Sequence, residues 1–293
     1  MLKNHEIEQF NSQGYCVSHG LLTESEVDHI LKELDAISAG ATLANHDPQR
    51  LEMEPKQPPT GTKVRRIYEP GTHYKACRDF SEGPKLVKCL TQLLGPDVLY
   101  FSSKINVKPP EIGSVVEWHQ DMAYGPVTNR SMLAVLVYLD DADASNGCLQ
   151  VIPGKFGMLN HSQNGYFQGK VTEPLDTSKA VMIESKRGAA IFFSALAPHA
   201  SRVNTSPRPR RTLIMGYRAA DAYPVYLGDR TSQGERFMRV VAGQQSATAR
   251  FDLDSVYIPR YPKEAKSLYE IQEYSRQAHE ATGSAASAPS WPS

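Results

Sequence analysis

Cysteine is scarce in this chain of 293 residues: there are four, Cys16, Cys77, Cys89 and Cys148. None forms a Cys-x-x-Cys pair, so the sequence suggests neither a zinc knuckle nor a disulfide framework. Long hydrophobic runs are missing as well, and nothing approaches the roughly 20 apolar residues of a membrane-spanning helix. There is no excess of one charge. Lys and Arg number 32, Asp and Glu number 32, and the net charge is +0, so no global field draws the chain to nucleic acid or to anionic lipid. The start, Met1 to Glu8, lacks the apolar core of a signal peptide and is too acidic for a typical transit peptide. These absences lead to the expectation of a cytoplasmic protein with a small-molecule partner and neither a nucleic-acid nor a membrane partner. Oligomeric state is left open, a homodimer being one option.

What is present is ordinary in bulk and specific in arrangement. Hydrophobic residues make up 40% and charged residues 22%, as in most soluble globular proteins. The length allows a core without covalent staples. We expect one domain over residues 1–283 and a small-residue tail, 284–293, that is disordered. Ile7 to Phe10 begins a short helix, and Gly14 to His19 has strand composition. Thr23-Glu24-Ser25-Glu26 is a capping box, and the helix it opens carries Val27, Ile30, Leu31, Leu34 and Ile37 at helical spacing. Residues 41–62, with four prolines and no period, read as a long loop, either a lid or a solvent loop. Lys63 to Tyr68 is a strand, Ser81 to Leu94 a second helix, and Val98 to Lys108 a strand. Beyond that the pattern is all β, with apolar runs at Met132 to Leu139, Cys148 to Ile152, Ala189 to Phe193 and Thr212 to Tyr217 separated by turn signals. Strands in series behind a few helices predict a mainly β fold with flanking helices, built on a jelly roll or double-sheet barrel.

The chemistry is concentrated in Trp118-His119-Gln120-Asp121. On an extended segment a His and a carboxylate two residues apart project to one face, where both can grip a single ion. A second histidine, His199, stands far downstream. Two imidazoles and a carboxylate form the ligand set of non-haem Fe(II) oxygenases, which leave the opposite face of the metal open. The same three residues also suit a catalytic zinc hydrolase, and a metal-free jelly-roll binding protein is a further alternative. Nucleic-acid demethylation would need a basic groove with aromatic platforms, which this composition does not offer.

The surroundings of these residues narrow the choice. After the His-Gln-Asp motif come Asn146-Gly147-Cys148-Leu149 and Pro153-Gly154. After His199 come Ser201, Asn204 and Ser206, then Arg210-Arg211 at the start of a strand. In that combination the chain resembles the phytanoyl-CoA dioxygenase (PhyH) family of Fe(II)/2-oxoglutarate oxygenases from about Gly14 to about Tyr217. The resemblance implies a double-stranded β-helix core of cupin type, iron held by His119, Asp121 and His199, and 2-oxoglutarate held by Arg210. It also implies that O2 is used, that an aliphatic C–H is hydroxylated or otherwise oxidised, and that succinate and CO2 are released. Because Asp121 is a carboxylate, hydroxylation is favoured over halogenation.

Arginine suits the cosubstrate role because its guanidinium meets a carboxylate with two parallel charge-assisted bonds. Arg211 should point the other way from Arg210, and strand register decides which one serves. Ser201 shares the face of His199 if that segment is extended, and Asn106 lies in a segment that resembles the family strand preceding the His-x-Asp motif, which implies that its amide can bond a carboxylate. The resemblance also implies a basic residue toward the cosubstrate near Lys63 and Arg65, with a solvated face as the plain alternative. Trp118, Gln120, Met122 and Tyr124 flank the ligands and are expected either to line a substrate pocket or to pack. The arginines after Tyr217, including Arg230, Arg236, Arg239, Arg250 and Arg260, either meet an acidic substrate group or form a surface. A small polar substrate or one of specialised metabolism is preferred, with acyl-CoA 2-hydroxylation as the alternative within the family.

Overall fold

Strand residues send alternate side chains to opposite sides, and in this chain both sides are filled. The structure, a computed structural model, describes residues 1–111, 115–163, 168–225 and 235–256. The expected tail, the 283/284 boundary, Arg230 and Arg260 lie outside the described residues. In chain order the elements are α1 (Asn4–Gln13), β1 (Tyr15–Ser18), α2 (Glu24–Ser38), β2 (Leu51–Met53), β3 (Val64–Tyr68), α3 (Pro70–His73), α4 (Lys75–Ser81), α5 (Pro84–Leu94), β4 (Val98–Lys108) and β5 (Val116–His119). They continue with β6 (Met132–Tyr138), β7 (Leu149–Val151), β8 (His161–Gln163), β9 (Gln168–Val171), β10 (Val181–Ile183), β11 (Ala190–Ser194), β12 (His199–Ser201), β13 (Arg210–Ala219) and β14 (Arg239–Ala242).

One antiparallel sheet runs β1-β11-β6-β13-β4-β3-β2, with β14 also on β4, and a second runs β10-β7-β12-β5. Leu133, Val135 and Val137 of β6 face an outer core shared with Val27, Ile30 and Leu34 of α2 and Leu86, Cys89 and Leu90 of α5. Their neighbours Ala134, Leu136 and Tyr138 face an inner core, where Ile191 and Phe193 of β11 meet Leu149 and Val151 of the second sheet. Each such large apolar side chain contributes roughly 1.5–3 kcal/mol by leaving water. Two facing antiparallel sheets with helices on one outer side make the expected jelly roll, a mainly β, cupin-like fold. No described helix is long and apolar enough to cross a membrane.

The capping box forms as the sequence predicts: Glu26 N donates to Thr23 Oγ1 at 3.3 Å, and Thr23 N donates to the Glu26 carboxylate at 2.8 Å. Two expectations are corrected. The helix expected from Ser81 to Leu94 starts instead at Pro84, as α5, and Ser81 is the last residue of a separate helix, α4, because Gly83 and Pro84 fall at the junction and Pro84 at the first turn has no N–H to continue the earlier helix. The loop 41–62 contains β2, which pairs with β3. Its Glu52 and Glu54 are buried against Arg65 and Arg66, so this segment is neither a free lid nor a solvent loop at that point.

Candidate active site

His119 ends β5, His199 begins β12, and the two are direct cross-strand partners. Opposed residues of antiparallel strands share a face with Cβ atoms about 4.5–5.5 Å apart, and here the imidazole centroids stand 4.1 Å apart. His119 Nδ1 lies 2.8 Å from Glu117 O and His199 Nδ1 3.0 Å from Ala197 O. A carbonyl only accepts, which places the proton on each Nδ1 and turns each Nε2 lone pair away from the backbone. Asp121 Oδ1 sits 3.7 Å from His119 Nε2 and 3.8 Å from His199 Nε2. Among the described residues these three make up a group with ligand atoms all within 4.8 Å of one another.

The route to that geometry differs from simple strand alternation. β5 stops at His119, and Asp121 opens a short 3-10 turn, Asp121–Ala123. Gln120 explains the bend. Its side-chain amide donates to Leu196 O at 2.6 Å and to Gly157 O at 2.8 Å, and its carbonyl accepts from Leu159 N at 2.8 Å. These bonds draw the chain into the wall and swing the Asp121 carboxylate beside the imidazoles.

Electrostatics favour a metal-ready form. Burial, followed by the charge of His199, pushes His119 down to about 3. For Asp121 burial opposes ionisation, but the charges of His199, Lys104 and His119 outweigh it and hold the carboxyl below its ordinary value. A neutral imidazole and an ionised carboxylate are the forms that a divalent ion binds.

The triad opens on a cavity of about 190 Å³ between the sheets, lined also by Arg210, Ser201, Asn106 and Tyr124. Arg210 is 4% exposed. Its Nη1 donates to Thr212 Oγ1 at 3.3 Å, while its buried Nε has no hydrogen-bond partner. Burial lowers its pKa, as it must for a cation held without an anion. Arg211 faces the other side of β13 and is spent on Asp140, which it meets bidentately at 2.9 and 2.6 Å.

Comparison with known proteins bears on the same span: the sequence pattern of the phytanoyl-CoA dioxygenase (PhyH) family matches residues 10–212. The chain belongs to the phytanoyl-CoA dioxygenase family. It is 30% identical over 226 residues to the probable alpha-ketoglutarate-dependent hypophosphite dioxygenase of Stutzerimonas stutzeri, covering 74% of this chain and 79% of that one. A methylphosphonate hydroxylase of Gimesia maris is 29% identical over 221 residues, covering 74% and 81%. The crystal structure of EctD from S. alaskensis with 2-oxoglutarate and 5-hydroxyectoine has the same fold, with a TM-score of 0.64 at 23% identity over 86% of this chain and 88% of that one. The protein is therefore an Fe(II)- and 2-oxoglutarate-dependent dioxygenase that acts on a small molecule with O2, and the zinc-hydrolase and binding-protein alternatives fall away.

Seen as a PhyH-family cavity, the flanking residues divide. Tyr124 lines it, its ring 5.4 Å from that of His119. Gln120 builds the wall rather than the pocket, for the reason given above. Met122 is fully buried with Val127, Met132 and Leu196 because the 3-10 turn directs it into that small core. Trp118, on the opposite face of β5 from His119, lines a separate groove with Gln150 and Met182. Ser201 and Asn106 both reach the cavity, and Asn106 Oδ1 accepts from Arg66 Nε at 3.0 Å. Of the two basic candidates, Lys63 is exposed, while Arg65 lines the cavity but is paired, its Nε 3.3 Å from Glu52 Oε1. Two arginines beyond Tyr217 are internal ties: Arg239 donates to Gly71 O at 2.6 Å and Arg250 Nε to Asp221 at 2.8 Å.

Sequence reasoning passed over Lys104 and Lys108, which line the same cavity. The signal was available in the period-two alternation of β4, which puts them on the face of Asn106.

Proposed function

We propose that His119, Asp121 and His199 hold the ferrous ion, that Arg210 with Ser201 holds the far carboxylate of 2-oxoglutarate, and that the substrate is a small oxyanion of the phosphonate or phosphinate kind. One observation carries the reading: a group of two imidazoles and a carboxylate opens on the same small cavity as a buried arginine that has no ion-pair partner among the described residues. The donor set fits iron, since three ligands on one side leave the cavity side free for exchangeable ligands. The arginine fits the cosubstrate, since an uncompensated buried charge is costly until an anion meets it.

When bound, the metal couples oxidation of 2-oxoglutarate to succinate and CO2 with transfer of one oxygen atom of O2 into a substrate C–H or P–H bond. The protein's own residues orient both partners: His119 and His199 are fixed by their Nδ1–H bonds to carbonyls, and Asp121 by the turn that Gln120 anchors. Support for the substrate class comes from the cations along the cavity and from the relatives named for hypophosphite and methylphosphonate. A cavity of about 190 Å³ suits such compounds better than an acyl-CoA. We further propose a single catalytic domain over residues 1–283 and a reducing, cytoplasmic location, which the four buried, unpaired cysteines support, with no nucleic-acid or membrane partner.

Anaerobic addition of Fe(II) and then 2-oxoglutarate should produce the weak visible charge-transfer band of the chelate. It should be followed by succinate release on screening hypophosphite, methylphosphonate and neutral small molecules. His119→Ala, Asp121→Ala and His199→Ala should each abolish the band and the turnover while far-ultraviolet circular dichroism stays unchanged. Full activity in any one of them refutes the assignment.

A further inference from the structure

The cavity holds one cation more than iron and 2-oxoglutarate use. The inward row of β4 is Lys104, Asn106 and Lys108, opposite Ile214, Thr212 and Arg210 on β13. Lys108 thus stands beside Arg210. It donates to Arg202 O at 2.7 Å, and burial with the nearby charges of Arg210 and Arg65 pushes it down to about 6, so it is neutral near pH 7. Arg65 and Arg66 are matched by Glu52 and Glu54. The ferrous ion and Arg210 bring three positive charges, and Asp121 and the two carboxylates of 2-oxoglutarate bring three negative ones.

Lys104 is left over. Among the described residues its amino group has no hydrogen-bond or ion-pair partner within 4 Å; burial is the largest influence on it and lowers its pKa, and Asp121 is the anion that most opposes this. Four residues of strand separate it from Lys108, about 13 Å at 3.3 Å per residue. It therefore serves the metal end of the cavity, away from the carboxylate end at Arg210. Once iron occupies Asp121, the weaker charges of Glu52 and Glu69 are what offset Lys104 among the described residues, and it lines the cavity without a direct anionic contact.

We infer that Lys104 is the anion subsite for the substrate: it receives the charged oxygens of a small oxyanion beside the metal and so sets which hydrogen-bearing atom faces it. This rests on the iron and cosubstrate assignment above. The competing role for the same ammonium is the metal-chelating carboxylate of 2-oxoglutarate, and the test separates the two.

The wild-type enzyme, Lys104→Met and Lys104→Arg are loaded anaerobically with Fe(II). They are titrated first with 2-oxoglutarate, followed by the charge-transfer band, and then with methylphosphonate and hypophosphite, followed by perturbation of that band and by calorimetry. Lys104→Met should keep its affinity for 2-oxoglutarate within about twofold and bind the phosphorus oxyanions roughly 10–100-fold more weakly, the loss expected for a charge-assisted hydrogen bond. Lys104→Arg should recover most of that loss. The inference is overturned if Lys104→Met binds both oxyanions as wild type does, if its loss falls on 2-oxoglutarate, or if wild type forms the band yet binds neither oxyanion. Absence of the band in wild type instead overturns the iron assignment on which the inference stands.

Discussion

Arg210 and Arg211 are adjacent, chemically identical, and do unlike things. The first is buried with an unmet Nε and the second is locked to Asp140. Arg210→Ala should raise the 2-oxoglutarate concentration needed for half-maximal turnover by roughly one to three powers of ten, the loss of a desolvated charge pair worth a few kcal/mol. Arg211→Ala should leave that concentration unchanged and lower the melting temperature. The reverse pattern moves the cosubstrate role to Arg211. Lys108 supplies a pH prediction. Folded, its pKa is about 6 against an ordinary 10.5, so between those values the unfolded chain carries a proton that the folded chain does not. Stability from this group must therefore rise as pH goes from about 6 toward 10 and be lost as pH falls through 6. Denaturant unfolding of the metal-free protein between pH 6 and 9 should show that slope, and Lys108→Met should remove it. Equal slopes in the two proteins would falsify the assignment.

At the level of elements, the strand-to-turn transition after His119 decides where the carboxylate goes. Gln120→Ala removes three side-chain hydrogen bonds, one buried and two part-buried, and strands Leu159 N and Leu196 O, a loss of roughly 2–4 kcal/mol by the usual cost of unmet buried groups. It should also weaken Fe(II) binding, because the turn that aims Asp121 loses its anchor. Urea unfolding and Fe(II) titration of this variant check both effects, and an unchanged ferrous affinity would show that Asp121 is held by other means. Elements were legible wherever the signal was local. The capping box, the helix behind it and the long strands β4, β6 and β13 follow from spacing alone. The break at Gly83-Pro84 was equally local, and the helix expected from Ser81 did not take it into account. β2 was not legible: it forms because Glu52 and Glu54 find Arg65 and Arg66, contacts that no period in residues 41–62 announces.

For the whole molecule, the site lies between two sheets that only the closed fold brings together. Fe(II) with 2-oxoglutarate bound to that folded site should raise the melting temperature. A ligand at 100 times its dissociation constant stabilises by about 2.7 kcal/mol when the unfolded chain does not bind it. Differential scanning under anaerobic conditions should show the shift in wild type and lose it in His199→Ala. A wild-type melting temperature indifferent to both additions would contradict a preformed site. By itself the sequence determined the chemistry on offer: the donor types, the His119–Asp121 spacing, an arginine at a strand start, and the apolar alternation that commits the chain to two sheets. These are set within a few residues, by side-chain chemistry and the period of a strand. Only the tertiary structure decided that His199 pairs with His119 across β12 and β5, that Arg210 faces inward while Arg211 faces Asp140, and that Lys104 lines the same cavity as His119, Asp121 and His199. Those facts depend on register between distant strands, which is fixed by the packing of both cores at once.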